Sequence, residues 1–260
     1  MAGRRVVITG ISSHWGAELA RRLERDPRIE YLAGVDSRPP GIGLGRTEFI
    51  EADIRNPALS RLLPSTGADT IVHCGILLYP EPARPPRVLH EINVIGTLQL
   101  LAACERTETV RHVVVRGSAA IYGCEAGGPS FFTEDLARSR RMRTRFQRDI
   151  SELEDYFDNF ARRHGHLTCT MLRYQPEIGA DLDTPLVGYL TLPVVPVQLG
   201  YDPRLSSCTP TMPPARWRRR SRSRSAGRST SRPAARSRSV GCCGSSGVRR
   251  CRFPTSSSVR

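Results

Sequence analysis

Three small residues near the N-terminus have the types and spacing that suit phosphate binding. In VITGISSHWG, Gly10, Ser13 and Gly16 follow an apolar run at intervals of three residues. A glycine directly after a strand permits a tight turn. Small residues after it let backbone N–H groups approach a pyrophosphate at the N-terminus of the next helix. Ser13 stands where a third glycine is usual, and its Cβ predicts a less close approach. The segment therefore predicts a turn that holds the phosphates of a dinucleotide.

An acidic residue lies at the distance from this turn that ribose recognition needs. Asp36 ends the apolar run YLAGVD, twenty residues after Gly16. A carboxylate at this place accepts hydrogen bonds from the ribose hydroxyls of adenosine, although Asp is also common as a plain turn residue. Arg38 follows two positions later and suits a 2′-phosphate. We expect NAD as the cofactor, with NADP left open by Arg38.

The elements that must position these residues alternate between short apolar strands and longer helices. The predicted strands are RRVVITG, YLAGVD, TEFIEADI, DTIVHCG, RHVVVRGS and LTCTMLRY. The predicted helices are SHWGAELARRLERD, VLHEINVIGTLQLLAACER and MRTRFQRDISELEDYFDNFARRHG. Apolar strands separated by helices indicate parallel βαβ units with right-handed crossovers. The predicted fold class is α/β, a Rossmann-like doubly wound parallel sheet formed by residues 1–205.

With these motifs in this order, residues 4–205 resemble an extended short-chain dehydrogenase/reductase of the NAD-dependent epimerase/dehydratase family. VITGISSHWG resembles the family's phosphate turn, NVIGT its central helix, GSAAIYG its Ser-x-x-x-Tyr-Gly segment and LRYQPEIG its Leu-Arg-x-x-Asn segment. The resemblance implies further residues beside the cofactor, namely Asp53 and Ile54 of ADIRN, Cys74 and Gly75 of IVHCGIL, and Asn93 of NVIGT. It also implies a small-molecule substrate such as a nucleotide sugar, and a homodimer paired through the long helices.

The catalytic groups of that family are only partly present. Ser118 stands at the family's serine position and is the predicted catalytic residue, where it either bonds a substrate oxygen or only caps local backbone. Phe146 and Ile150 replace the family's Tyr-x-x-x-Lys pair, and the chain contains no lysine. A tyrosine of pKa ~10 needs such a cation to exchange protons at neutral pH. Phe and Ile one helical turn apart suit packing instead. Pro176 replaces the Asn of Leu-Arg-x-x-Asn.

Two functions agree with this altered site. One is an atypical epimerase/dehydratase-like protein, acting on a nucleotide sugar with impaired catalysis. The other is a non-catalytic dinucleotide-binding protein that serves as a sensor or partner. Turnover of nucleotide sugars would separate the two.

The C-terminal segment, residues 206–260, has a different composition from the rest. It holds 14 of the 39 arginines and no acidic residue, so residues 1–205 carry 25 basic and 25 acidic residues. Because residues 1–205 carry no net charge, they give no reason to expect a nucleic-acid partner. The tail is too poor in large apolar residues to fold. It is either a disordered basic arm that binds nucleic acid or a non-native product of a shifted reading frame. Reading the codons from residue 207 two bases later permits Val-His-Ala-Asp-Asp-Ala, which resembles the family's Val-His-x-Asp-Asp segment.

Other classes of protein are excluded by what the sequence lacks. No apolar run approaches the ~18 residues of a membrane helix, and the apolar run at the start is too short for a signal peptide. We therefore expect a cytoplasmic protein without a membrane partner. Four cysteines of the body are widely spaced and expected to be reduced and mostly buried: Cys74, Cys104, Cys124 and Cys169. The adjacent Cys242 and Cys243 do not have the spacing of zinc ligands, so no metal site is expected.

Overall fold

The computed structural model describes residues 3–78, 85–123, 132–137, 139, 141–179, 182, 184–196 and the backbone of 238–240. The strands are β1 (Arg4–Thr9), β2 (Ile29–Asp36), β3 (Glu48–Glu51), β4 (Thr70–His73), β5 (His112–Ser118), β6 (Thr168–Tyr174) and β7 (Arg238–Val240). The helices are α1 (His14–Glu24), α2 (Leu59–Ser65), α3 (Pro86–His90), α4 (Gly96–Glu105), α5 (Arg145–Arg163) and α6 (Pro185–Leu190). A π-helical turn (Glu91–Ile95) joins α3 to α4, and two 3₁₀ helices span Ala119–Tyr122 and Glu134–Leu136.

The strands form one parallel sheet in the order β3-β2-β1-β4-β5-β6-β7. The chain runs outward from β1 to β3, returns to the other side of β1, and continues outward from β4. The predicted Rossmann-like doubly wound sheet is therefore confirmed. All six predicted strands and all three predicted helices are present, the second helix being divided by the π-helical turn. β1 and β4 lie side by side at the point where the strand order reverses, which is where such sheets bind ligands.

Apolar side chains cover both faces of the sheet, as parallel strands require. One cluster under α1 includes Val6, Ile8, Leu19 and Val72. A larger cluster on the other face packs the sheet against α2, α4 and α5. A capping box begins α5. The Thr144 side chain accepts from the Gln147 backbone amide, and the Gln147 side chain accepts from the Thr144 backbone amide. This fixed start sets which face of α5 points inward.

The cysteines of the body are as expected where they are described. Cys74, Cys104 and Cys169 are free and buried, and Cys124 lies outside the described residues. Burial raises the pKa of Cys74 to about 11, partly offset by the charge of Arg116, and that of Cys169 to about 12. These thiols are therefore protonated near neutral pH and act as small apolar groups.

The basic tail lies outside the described residues except for β7. The backbone of Arg238–Val240 pairs in parallel with β6, from Thr170 to Leu172, which the sequence did not predict. The division at residue 205 and the expected disorder of the tail remain predictions. None of the helices in the described part of the chain combines the length and apolar character needed to span a membrane.

Candidate functional site

The predicted phosphate turn has a backbone that only glycine fits at two places. Gly10 has a φ of +78°, and a Cβ added there would lie 2.3 Å from the Gly75 Cα. A Cβ on Gly16 would lie 2.3 Å from the Gly10 carbonyl oxygen. The segment after β1 therefore packs directly on the segment after β4, and α1 begins directly behind it. Glycines at these two places, before and within the first turn of α1, are the arrangement that lets a backbone turn bind a pyrophosphate.

Ser13 has a defined role in the turn that differs from that of a glycine. It is the N-cap of α1, with its Oγ accepting from the Gly16 amide at 3.1 Å and donating to the Gly10 carbonyl at 2.6 Å. Its φ is −70°, so no glycine is needed at this position. The serine hydroxyl thus stabilises the first turn of α1 and holds the two glycines together.

Asp36 lies at the rim of this turn, as the sequence predicted. One of its carboxylate oxygens accepts from the amide and the hydroxyl of Ser12, at 3.0 and 2.6 Å. The other accepts from the Ser37 amide at 2.8 Å. Arg38 is exposed two residues farther on. The geometry is consistent with ribose binding by Asp36, which remains a prediction.

Asp53 and Ile54 are held in place by contacts within the protein. Arg55 forms an ion pair with Asp53 at 2.6 Å, and its side-chain hydrogen bonds keep the pKa of Asp53 below its usual value despite the opposing effect of burial. A Cβ on Gly96 would lie 2.7 Å from the Ile54 Cγ2, so Ile54 packs tightly on α4. Their predicted contacts with the cofactor remain untested.

The end of β4 carries a buried histidine that the sequence analysis did not single out. His73 has no exposed surface. Its Nδ1 is 2.8 Å from the Thr9 hydroxyl, and its Nε2 is 3.1 Å from the Thr97 hydroxyl. Burial lowers the pKa of His73 to about 4. The neutral ring therefore ties β1, β4 and α4 together immediately behind Gly10, Cys74 and Gly75. The only sequence signal was a histidine at the end of an apolar strand.

Asn93 is fully buried and acts on the backbone of the loop after β4. Its Oδ1 accepts from the Leu77 amide at 2.8 Å, and its Nδ2 donates to the Leu77 carbonyl at 2.9 Å. Asn93 lies in the π-helical turn, an irregularity that is frequent at functional sites. It therefore fixes the loop that follows Gly75, and a direct contact with the cofactor remains a prediction.

Ser118 lies at the end of β5 with little exposed surface. Its Oγ accepts from the Ala120 amide at 3.2 Å and so caps the 3₁₀ helix that follows. Backbone capping, one of the two roles considered for this residue, is therefore present, and a bond to substrate remains a prediction. Nearby, the Tyr122 hydroxyl accepts from Arg173 at 3.1 Å, and Glu154 pairs with Arg173 at 2.6 Å.

Phe146 and Ile150, which the sequence analysis matched to the family's tyrosine and lysine, pack in or against the core. Ile150 has no exposed surface, and Phe146 packs against the same cluster. The apolar face of α5 that the sequence indicated is thus occupied by packing contacts. Neither side chain offers a proton or a charge to a ligand.

A second cluster that the sequence analysis missed joins three distant segments. The Arg116 guanidinium lies 5.3 Å from the centre of the Trp15 ring and 5.4 Å from that of Tyr174. It forms a buried ion pair with Glu177 through Nη2. The Trp15 Nε1 and the Arg116 Nε are buried and have no hydrogen-bond partner among the described residues. The sequence signal was one arginine inside the apolar strand VVVRGS.

One group of possible metal ligands occurs in the described part of the chain. His90, Asp149 and Glu152 place ligand atoms within 4.8 Å of one another. The His90 Nδ1 is 3.0 Å from an Asp149 oxygen, which accounts for that contact as a hydrogen bond. No metal site was predicted, and this group alone does not establish one.

Comparisons with known proteins agree with this geometry. The chain is 35% identical over 204 residues to an uncharacterized protein of Mycobacterium tuberculosis, covering 77% of this chain and 54% of that one. It is 28% identical over 196 residues to a UDP-glucose 4-epimerase of Rhizobium leguminosarum bv. trifolii, covering 70% of this chain and 55% of that one. The chain thus spans about half the length of these relatives.

A solved structure supports the fold. MoeE5 in complex with UDP-glucuronic acid and NAD superposes with a TM-score of 0.59 at 24% identity, covering 72% of this chain and 60% of that one. The sequence profile of the NAD dependent epimerase/dehydratase family matches residues 6–184, in agreement with the predicted cofactor. The chain belongs to the NAD dependent epimerase/dehydratase family.

Proposed function

We propose that the chain binds NAD across the turn from Gly10 to Gly16 and accepts a nucleotide sugar beside it. The observation that carries the proposal is the close packing of Gly10 against Gly75 and Gly16 in the turn that leads into α1, because the backbone N–H groups of such a turn bind phosphate. The backbone of the turn would hold the phosphates, and Asp36 the adenosine ribose. When bound, NAD supplies a group that can accept or return a hydride.

The same site lacks the proton-transfer apparatus of typical family members. A positioned acid–base group contributes roughly 10²–10⁴-fold to a rate, and Phe146 and Ile150 cannot act as one. We therefore propose that this chain turns over nucleotide sugars more slowly than typical family members, by at least that factor. The buried, apolar face of α5 favours the second candidate, a non-catalytic dinucleotide-binding protein. The similarity to a UDP-glucose 4-epimerase favours UDP-sugars as the ligands to assay.

Binding of NAD to an Asp36→Ala variant tests the assignment of the ribose site. Loss of the carboxylate removes a charge-assisted hydrogen bond, so we expect NAD affinity to fall roughly tenfold. Isothermal titration calorimetry measures the change. Asp155→Ala, an exposed acid on α5, is the control and should keep the parent affinity. Equal affinity of both variants for NAD would show that Asp36 does not bind the ribose.

The assembly and location of the protein are proposals of the same kind. Ile95, at the end of the π-helical turn, and Tyr156 on α5 are large and partly exposed on neighbouring helices. They support a homodimer formed through these helices, which analytical ultracentrifugation would detect.

We also retain the cytoplasmic location expected from the sequence.

A further inference from the structure

Residues 138–148, which lead into α5, form the most basic run of the chain before the C-terminal segment. The sequence RSRRMRTRFQR contains six arginines and no acidic residue. Basic and acidic residues balance over residues 1–205 as a whole, so this run is a local concentration of positive charge. A charged run alone does not define a site, and the arrangement of its side chains decides whether it can bind an anion.

Three of these arginines line one cavity in the described part of the chain. The cavity has a volume of about 390 Å³, and its described lining consists of Arg141, Met142, Arg143 and Arg148. The three arginines are exposed, so a ligand from solvent can reach their guanidinium groups. The volume falls within the range of about 300–1,000 Å³ that is typical of small-molecule sites. The cavity is thus accessible, and none of its described lining residues is acidic.

The backbone that carries these arginines is held in place by Gln147, which is buried. The Gln147 Oε1 accepts from the Arg143 amide at 2.9 Å and from the Thr144 amide at 3.0 Å. The Arg148 Nη1 donates to the Arg143 carbonyl oxygen at 3.1 Å, so this side chain is directed back toward the start of α5. Because the turn is fixed before a ligand arrives, binding there costs less conformational entropy.

Arg141 and Arg148 have charge to offer to an anion. Neither of them forms an ion pair with a carboxylate among the described residues. Several other arginines of the described chain do form such pairs, namely Arg22 with Glu18, Arg55 with Asp53 and Arg173 with Glu154. The guanidinium group is a planar fork of N–H donors that matches the oxygen atoms of a phosphate. The chemistry of the cavity therefore favours a phosphate-bearing ligand.

The cavity lies at the carboxyl edge of the sheet, but apart from the dinucleotide turn. α5 connects the neighbouring parallel strands β5 and β6, so it runs antiparallel to them and begins at their carboxyl ends. It contacts the 3₁₀ helix Ala119–Tyr122, which directly follows β5. The turn at Gly10 follows β1 instead and leads into α1, which packs on the opposite face of the sheet from α5. The arginine cavity is therefore a second location for phosphate groups.

We propose that Arg141, Arg143 and Arg148 bind a diphosphate group, separately from the phosphates of NAD. Several guanidinium groups around one cavity match the multiple charges and the many oxygen atoms of a diphosphate, whereas a single carboxylate would occupy only one fork. The inference goes beyond the proposed function, because it requires neither NAD binding nor turnover. Two sources carry such a group, namely free inorganic pyrophosphate and the diphosphate of a nucleotide sugar.

The first test titrates the full chain with inorganic pyrophosphate in a calorimeter, at constant ionic strength and with NAD present to occupy the turn after β1. We expect saturable binding that is roughly tenfold tighter than that of orthophosphate, because a second phosphoryl group contacts a further guanidinium group. Titration with UDP-glucose under the same conditions examines the other source.

Substitutions of single arginines test the assigned residues. Arg141→Gln and Arg148→Gln should each weaken pyrophosphate binding roughly tenfold, since each removes a charge-assisted hydrogen bond. Arg163→Gln removes the same charge from an exposed position at the other end of α5 and should keep the parent affinity. The arginine-rich segment 206–260 is identical in all these proteins, so any binding by it adds the same background to each.

The outcomes separate the sources and decide the assignment. If Arg141→Gln weakens the binding of both pyrophosphate and UDP-glucose, the nucleotide sugar is the source, and if it weakens pyrophosphate binding alone, the source is the free anion. The assignment is overturned if the parent shows no saturable pyrophosphate binding, or if folded Arg141→Gln and Arg148→Gln bind pyrophosphate as tightly as the parent does.

Two controls keep this result independent of other failures. Thermal melting shows whether each variant is folded, and Arg141→Lys, which keeps the charge but loses the fork, should bind with intermediate affinity and replaces a variant that is not. A chain that does not bind NAD would overturn the proposed function, and the same comparison of variants without NAD would still decide the arginine site.

Discussion

His73 shows how one buried residue makes the stability of the fold depend on pH. It lies behind the phosphate turn with both ring nitrogens bonded to threonine hydroxyls. Its pKa is lowered to about 4 by burial, whereas in the unfolded chain it is ~6.5. Between these values the unfolded chain binds a proton that the folded chain does not, so acid favours unfolding there. Above pH ~6.5 the ring is neutral in both states and has no effect.

We therefore predict that the free energy of unfolding falls as pH is lowered from 6.5 to 4. The His73 contribution is about 3 kcal/mol, given ~1.4 kcal/mol for each pH unit of the interval. Urea unfolding at a series of pH values measures it. The His73→Gln variant should lack this pH-dependent contribution to stability. His166 is exposed, so the His166→Gln variant should keep it. The same pH dependence in His73→Gln and the parent chain would contradict the assignment.

At the scale of elements, α5 presents a packing face at the two positions that the sequence analysis matched to the family's Tyr-x-x-x-Lys pair. Ile150 lies in the core with Leu153 and Phe157, and none of the three side chains is appreciably exposed. A lysine at position 150 would bring an ammonium group into this apolar surrounding, and Glu154, one helical turn farther along α5, is already paired with Arg173. We therefore expect that a lysine at this position lowers the stability of the fold.

We predict that Ile150→Lys destabilises the protein by roughly 3–5 kcal/mol, the range for an uncompensated buried charge. Ile150→Met, which is similar in volume, should cost less than about 1.5 kcal/mol. Chemical unfolding of both variants gives the difference. A fully stable Ile150→Lys protein with new epimerase activity would show that α5 still presents a catalytic face.

The elements and the site differ in how far the sequence predicts them. The six main strands are apolar runs bounded by turn residues, α1 and α5 carry long amphipathic patterns, and α4 is a longer, mostly apolar segment, so local sequence was sufficient. The short helices α2 and α6 and the three-residue β7 contain too few residues for a pattern. The turn from Gly10 to Gly16 was predictable because glycine itself determines its backbone. The contact of Arg116 with Trp15 joins residues about a hundred positions apart, and no local pattern indicates it.

At the scale of the whole molecule, large apolar side chains are exposed among the described residues after β6. Val194 is 81% exposed, and Leu192 and Tyr189 are also substantially exposed. The relatives are about twice as long as the part that this chain matches. A segment following residue 196 in an intact relative would be suited to cover this surface, which otherwise favours association.

We predict that the gene carries a shift of reading frame near codon 206. Resequencing should reveal a frame in which Val-His-Ala-Asp-Asp-Ala follows at this place. The protein made from that frame should melt at a higher temperature than the 260-residue chain, because it covers the exposed apolar surface. Confirmation of the present frame would instead support a genuine basic arm, whose nucleic-acid binding should weaken steeply with salt.

Binding of NAD to the full chain tests the central claim most directly. Calorimetric titration of folded protein with NAD should give saturable binding to one site per chain. The affinity should fall roughly tenfold in Asp36→Ala and remain unchanged in Asp155→Ala. A folded chain that takes up neither NAD nor NADP would contradict the account, because the glycine turn and Asp36 would then have no ligand.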